Sequence, residues 1–400
     1  MSPTVVSILL IFYFCLMVIL MYRESRLLAG NRCGQTVLRR QEGRFSRAGN
    51  SATNGDKRRA AIRRRRVSAR QLRWLVFLIF IGVLFCAFRD VQNTYDTGNY
   101  IGWYLGWDVS SPSAFFDFGG EVEIGFEFVS RIIKLLCFGN VAIYLGVIAL
   151  IVLSLFAAAI WKLTDKRLTV FLLLYSIYGF YYSYIVIRQG IAMAIIFYTI
   201  ACVYRNRRLY GIKFLFGVLI AALFHKAAVI CIVMLPFLSG KLRINRVVLF
   251  IVFLLTLALS ISRNTVFIIA DFVLKLGKLP IFASIYDQIF VYFATIQLES
   301  NMNLATLAIF FVIICFMNVG KKNRRLWNIM MGIECIGVLL MGVLAGWSVA
   351  LRFGQFFLVA HCFLLPDSTR YIGRSANRLI LVVIALFYIY NMIKLSGFLP

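Results

Sequence analysis

The sequence predicts an all-α polytopic integral membrane protein with about ten or eleven transmembrane helices. Hydrophobic residues make up 62% of its 400 positions. Its mean hydropathy is +0.86. Apolar runs of membrane-spanning length recur along the whole chain. The charge distribution sets the topology. Arg23 to Arg73 carries 16 basic and three acidic residues, whereas Arg89 to Glu127 carries seven acids and one arginine. A single apolar run, Trp74 to Phe88, separates the two stretches. Basic loops stay on the cytoplasmic side, so the first stretch is expected inside and the second outside.

The first transmembrane span is expected within residues 1–22, from Thr4 to Tyr22. It is too long for a signal-peptide core and no basic segment precedes it, so a retained span with its N-terminus outside is expected. Residues 23–73 form a basic cytoplasmic loop with four consecutive arginines, Arg63 to Arg66. The loop lacks apolar periodicity and is expected to be disordered. A loop of this kind could touch anionic lipid headgroups or nucleic acid, but its plainest role is to set the topology; membrane lipids are expected as partners and nucleic acid is not. The multi-span helical domain then runs over residues 74–400, with a second span over about 72–88.

The acidic external loop covers residues 89–139, and its second half, Glu121 to Phe138, reads as an amphipathic interfacial helix. A third span follows over about 141–161, and a fourth over about 168–184. The fourth ends in Tyr175, Tyr178, Phe180, Tyr181, Tyr182 and Tyr184. Such a cluster suits an aromatic belt at the interface or the lip of a sugar-binding groove. The fifth span covers about 188–204.

Residues 214–236 pose a choice. A single span would put Lys241, Arg243 and Arg246 outside and invert everything beyond them. A re-entrant helical hairpin with its tip near Phe224-His225-Lys226 removes the conflict, and two polar residues in mid-run agree with a break there. The remaining spans are expected over about 247–262, 303–319, 326–345, 348–366 and 379–397, with a second external loop over 263–302. The nine cysteines lie mostly in apolar runs and form no C-x-x-C pair, so neither a disulfide framework nor a zinc site is predicted.

Function must therefore sit in the polar exceptions. Within or beside the spans these are Arg188, Gln189, His225, Lys226, Arg352, Gln355 and His361. A guanidinium at mid-bilayer costs roughly 2.5–3.5 kcal/mol, so such residues face a bundle interior or a wet cavity. Arg188 and Arg352 both lie near the external end of a span, which suggests an anionic ligand. A guanidinium grips phosphate through two parallel hydrogen bonds and stays charged, and a diphosphate has oxygens for two such forks. His225 suits a general base or a phosphate hydrogen-bond donor. The chain has no P-loop, G-x-G-x-x-G, D-x-D or H-E-x-x-H. No nucleotide or metal cofactor is expected, so the donor must arrive activated, as a lipid-linked diphosphate sugar does.

The string Ile187-Arg188-Gln189-Gly190-Ile191-Ala192, followed by Phe224-His225-Lys226-Ala227-Ala228, resembles the EpsG-type (Wzy-like) polysaccharide polymerases. Arg89 with Asp96-Thr97 and Tyr100, then Glu123-Ile124-Gly125-Phe126, and finally Arg352 resemble further elements of that family in order. The resemblance covers about residues 72–365. It departs from the family in two places: no glycine closely precedes Asp96, and the 23–73 insert has no counterpart. The resemblance implies a metal-independent glycosyltransferase of the inner (plasma) membrane, acting in exopolysaccharide or O-antigen assembly. Such an enzyme joins undecaprenyl-diphosphate-linked oligosaccharide repeat units on the periplasmic face, alongside a flippase and a chain-length regulator. On that reading Arg188 and Arg352 hold the donor diphosphate, and His225, Asp96 or Glu123 deprotonates the acceptor hydroxyl. Gln189, Tyr100, Lys226, Tyr182 and Gln355 would contact sugar or phosphate. Two alternatives share the substrate: a flippase or transporter of the lipid-linked oligosaccharide, and an O-antigen ligase-like transferase.

Overall fold

The computed structural model describes residues 9–28, 54–89, 95–120, 122–262, 302–315, 324–345, 348–368 and 374–395, with Ile268, Asp271 and Lys275. The expected external loop 263–302 and the first part of the basic loop, residues 29–53, lie largely or wholly outside the described residues. Every described element is helical or a turn, with no strand among the described residues. The chain divides into two compact units, Met1–Ala194 with Arg378–Pro400, and Ile195–Asn377.

The first unit opens with α1 (residues 9–28) and α2 (Asn54–Ala87). The reading of 23–73 as one disordered loop is corrected here. Arg23 to residue 28 continues α1, and Asn54 to Arg73 is helical and runs straight into the second span. Ala60, Ala61, Gln71 and the many arginines are strong helix formers, and the apolar half of α2 supplies the nucleus they propagate from. α2 packs lengthwise on α6 (Val141–Leu163). The helices approach closely because Gly82 faces Leu153 and Tyr175, and Gly146 faces Ala87 and Val83. α1 joins them through the Tyr13 hydroxyl, which donates to the Leu78 carbonyl at 2.6 Å.

The segment between α2 and α6 carries helices among its described residues. It holds α3 (Tyr95–Gly106), α4 (Pro112–Phe115) and α5 (Ile124–Leu136). α5 occupies most of the expected interfacial helix, and α3 was not foreseen. Beyond α6, α7 (Arg167–Leu174), a π-turn (Tyr175–Gly179) and α8 (Phe180–Tyr184) form one continuous rod. Its aromatics are neither a belt nor a lip: Tyr175, Tyr178, Phe180, Tyr182 and Tyr184 are all buried. Tyr182 in particular packs on Tyr178 and Tyr181, with ring centroids 6.3 and 5.1 Å away. The rod is buried on nearly every side, so it sits inside the unit.

α9 (Ile187–Arg205) follows after a sharp reversal. A side chain at Gly190 would overlap the Tyr182 carbonyl, so only glycine allows α8 and α9 to close this tightly.

In the second unit, residues 210–239 form two arms that pack on each other: α10 (Tyr210–Ala222) and a 3₁₀ helix (Lys226–Ser239). The break between them falls at residues 223–225. α11 (Arg246–Ser262), α12 (Met302–Cys315), α14 (Ser348–Leu358) and α15 (His361–Ser368) surround α13 (Arg324–Val343). Three glycines let α13 receive its neighbours: Gly332 against Phe237, Gly337 against Phe357 and Leu358, and Gly342 against Thr256. The expected single span 348–366 is split into α14 and α15 by a turn at residues 359–360. The last described element is α16 (Arg374–Leu395).

Among the described residues four helices are long and apolar enough to cross a membrane: Arg65–Ala87, Val141–Leu163, Ile187–Arg205 and Arg324–Val343. Shorter apolar helices make up much of the remainder. The protein is an all-α polytopic membrane protein.

Candidate functional site

The segment between α2 and α6 is tied together by Arg131. Its guanidinium donates to Glu127 Oε1 at 2.6 Å and to the carbonyls of Ala114, Phe115 and Asp117 at 2.5, 3.0 and 2.6 Å. Arg131 and Glu127 are almost fully buried. Lys134, one turn on, donates to the carbonyls of Leu105 and Trp107. The Asp108 carboxylate accepts from the Ser110 amide at 2.8 Å, which holds it below the usual carboxylate range. These bonds fold residues 105–117 back onto α5 and fix where α5 begins.

That beginning is Glu123, the N-cap of α5, which makes no capping bond with its side chain. Its carboxylate instead accepts from Arg188 Nη1 at 2.6 Å. The Arg188 side chain is 25% exposed and that of Glu123 9%. The guanidinium also lies over two rings of α3, 5.7 Å from the Tyr100 centroid and 5.3 Å from that of Trp103. Tyr100 is packed against Phe126 of α5, so one face of the cluster is rigid. Arg188, Glu123 and Tyr100 were each expected at the site, and the structure brings them together. Trp103 was missed. Its only signal in sequence is its place one turn beyond Tyr100 on a helix that itself was not foreseen. Gln189 is fully buried beside Arg188, and Asp96 is half-buried in the first turn of α3.

Arg89 was known only as a point of resemblance, and in the structure it is a buried charge with little compensation among the described residues. It is 5% exposed, and none of its three guanidinium nitrogens has a hydrogen-bond partner among the described residues. Its one close contact of note is the Tyr184 ring, 5.1 Å from Cζ. A cation–π contact returns about 2 kcal/mol at best, against an effective penalty of several kcal/mol for a buried ion. Burial accordingly pushes its pKa below the ordinary arginine range. It remains charged, since a guanidinium does not give up its proton in proteins. Tyr100 lies within electrostatic range of both Arg89 and Arg188.

The second unit holds the other expected residues. His225 is the N-cap of the 3₁₀ helix, and its Nδ1 accepts from the Ala227 amide at 3.2 Å. Accepting at Nδ1 leaves the proton of the neutral ring on Nε2, so His225 as configured is a donor and not a base. Its ring meets Phe356 edge-on at 6.2 Å, which places it beside α14. Arg352 and Gln355 are half-buried on α14, three residues apart and hence on one face. Lys226 is exposed. Deeper in this unit His361 Nδ1 lies 3.3 Å from Glu334 Oε1, with both side chains essentially inaccessible. His361 stood out in the sequence, whereas Glu334 lay hidden within an apolar run. Among the described residues no cluster of three or more histidine, cysteine or acidic side chains is placed to hold a metal.

No curated protein and no solved structure matches the chain. A family model, that of the EpsG family, matches residues 72–400. The match takes in α3, α5 and α9, which supply Tyr100, Glu123 and Arg188. The chain belongs to the EpsG family.

Proposed function

We propose that the protein is a polysaccharide polymerase that extends a glycan by transferring it from an undecaprenyl-diphosphate carrier to a hydroxyl of the next lipid-linked repeat unit, on the periplasmic face of the inner membrane. Family membership supports a polymerase-type role. The observation that carries the finer reading is Arg188, an arginine paired with the Glu123 carboxylate and lying over two aromatic rings, with its Nε left without a hydrogen-bond partner among the described residues.

The chemistry follows from that arrangement. Glu123 now occupies the anion's place on Arg188, and a donor diphosphate would take it over with a fork-shaped pair of bonds. The faces of Tyr100 and Trp103 suit a sugar ring beside the phosphates. Arg89 adds positive potential from a buried position, where low polarisability makes a charge act at longer range. Positive potential favours departure of the diphosphate as its charge develops. A carboxylate paired with a guanidinium is a poor base, so Glu123 is assigned to positioning and Asp96 to deprotonation of the acceptor. In the second unit, the Nε2 proton of His225 suits donation to a phosphate oxygen. Arg352, Gln355 and Lys226 remain candidates for contacts with the substrate, and buried Tyr182 is reassigned to packing.

The lipid-linked glycans of a strain lacking the gene test this reading. Single repeat units accumulating on the outer face support a polymerase. Units trapped on the inner face would mean a flippase, and long chains left on the carrier a ligase.

A further inference from the structure

A cavity built from other residues lies far in sequence from the Arg188 cluster. It has a volume of about 350 Å³ and is lined by Leu20, Arg23, Glu24, Arg26 and Leu27 of α1, Arg70, Gln71 and Trp74 of α2, and Leu168 of α7. Its size falls within the range of about 300–1,000 Å³ typical of ligand sites. Three arginines face one acid. That acid is already committed: Glu24 accepts from the Leu168 and Thr169 amides, the Thr169 hydroxyl and the Gln71 amide, at 2.6–2.9 Å. It caps the start of α7, and among the described lining residues the three arginines outnumber this single carboxylate. Arg26 is steadied by the Tyr22 hydroxyl at 2.8 Å. The Arg378 guanidinium also lies over the Tyr22 ring, 4.5 Å from its centroid, and adds a further cation nearby. Arg23 and Arg70 are exposed and make no hydrogen bond or ion pair among the described residues.

We propose that this cavity binds the phosphate headgroup of an anionic phospholipid. The place argues for lipid: the cavity sits at the basic end of the membrane-spanning part of α2, Arg65–Ala87, where headgroups lie. The lining argues for it too. Leu20, Leu27, Trp74 and Leu168 offer apolar contact to the glycerol and first acyl carbons, which a free phosphate does not possess. Trp74 is a residue type that favours that depth.

The test uses full-length protein in a neutral detergent. Native mass spectrometry counts bound phosphatidylglycerol, phosphatidylcholine of the same chains, or inorganic phosphate. Wild type is expected to retain phosphatidylglycerol and neither of the others. R23Q/R70Q should bind phosphatidylglycerol at least tenfold more weakly, while R207Q/R208Q, with two exposed arginines removed from the other unit, binds as wild type. Equal binding by R23Q/R70Q, or equal retention of phosphatidylcholine, overturns the proposal. Preferential capture of inorganic phosphate assigns the cavity to a soluble anion and overturns the lipid. Raising the salt to about 1 M shortens the screening length to about 3 Å and should release phosphatidylglycerol from wild type. This last measurement needs no variant, and undiminished binding there also overturns the proposal.

Discussion

Arg131 and Arg188 both pair with a glutamate at 2.6 Å in the same unit, yet the two pairs are built differently. Arg131 is buried, and its fork is filled by Glu127 and several backbone carbonyls. Nothing remains for a ligand to take. Arg188 is partly open: it pairs with Glu123, its guanidinium lies over the Tyr100 and Trp103 rings, and its Nε has no hydrogen-bond partner among the described residues. Arg89 goes further and has no acceptor among the described residues. A saturated guanidinium organises a fold, whereas an unsaturated one spends stability to hold charge in readiness. The contrast separates arginines that carry structure from those that carry chemistry, and each can be broken on its own.

The largest effect is expected for R131A. It strands a buried Glu127 and frees the carbonyls that shape residues 105–117, so a loss of about 3–5 kcal/mol is expected. Thermal unfolding of the purified protein, with its level in membranes, reads this out. A stable R131A would show that the network is dispensable. Next comes R188K. A point charge cannot copy the fork, and a drop in polymer formation of about 10²–10³-fold is expected, with membrane levels kept.

R89Q sharpens the comparison most. If Arg89 is an uncompensated charge held for the ligand, its loss lowers polymer output by about tenfold while thermal stability stays the same or rises. A destabilised R89Q would place Arg89 with Arg131. The smallest effect is expected for H225N in stability, because asparagine caps helices well and the change should stay within about 1 kcal/mol. If its polymer output matches wild type, His225 serves only as a cap. A loss of output at normal stability marks its Nε2 proton as functional.

How far the sequence could be read follows from which physical signal each feature left. Spans such as Val141–Leu163 announce themselves by unbroken hydropathy, and the charge contrast around α2 marks its ends. The break at residues 223–225 was legible because His225 and Lys226 interrupt an apolar run between two basic flanks. Arg188, Glu123 and Tyr100 were legible as residues, but their meeting was not, since 65 positions separate Arg188 from Glu123. The Arg131 network was invisible because it runs to backbone carbonyls, which leave no mark in a sequence. Tyr182 was misassigned for a related reason. An aromatic run looks the same whether it lines an interface or a core, and the π-turn that carries it inward has no pattern of its own.

The most direct test of the central claim is the polymer made by a null strain carrying R188K at wild-type membrane levels. The account predicts single repeat units on the carrier at the outer face, with almost no chains beyond one unit. Full-length polymer in that strain would contradict it.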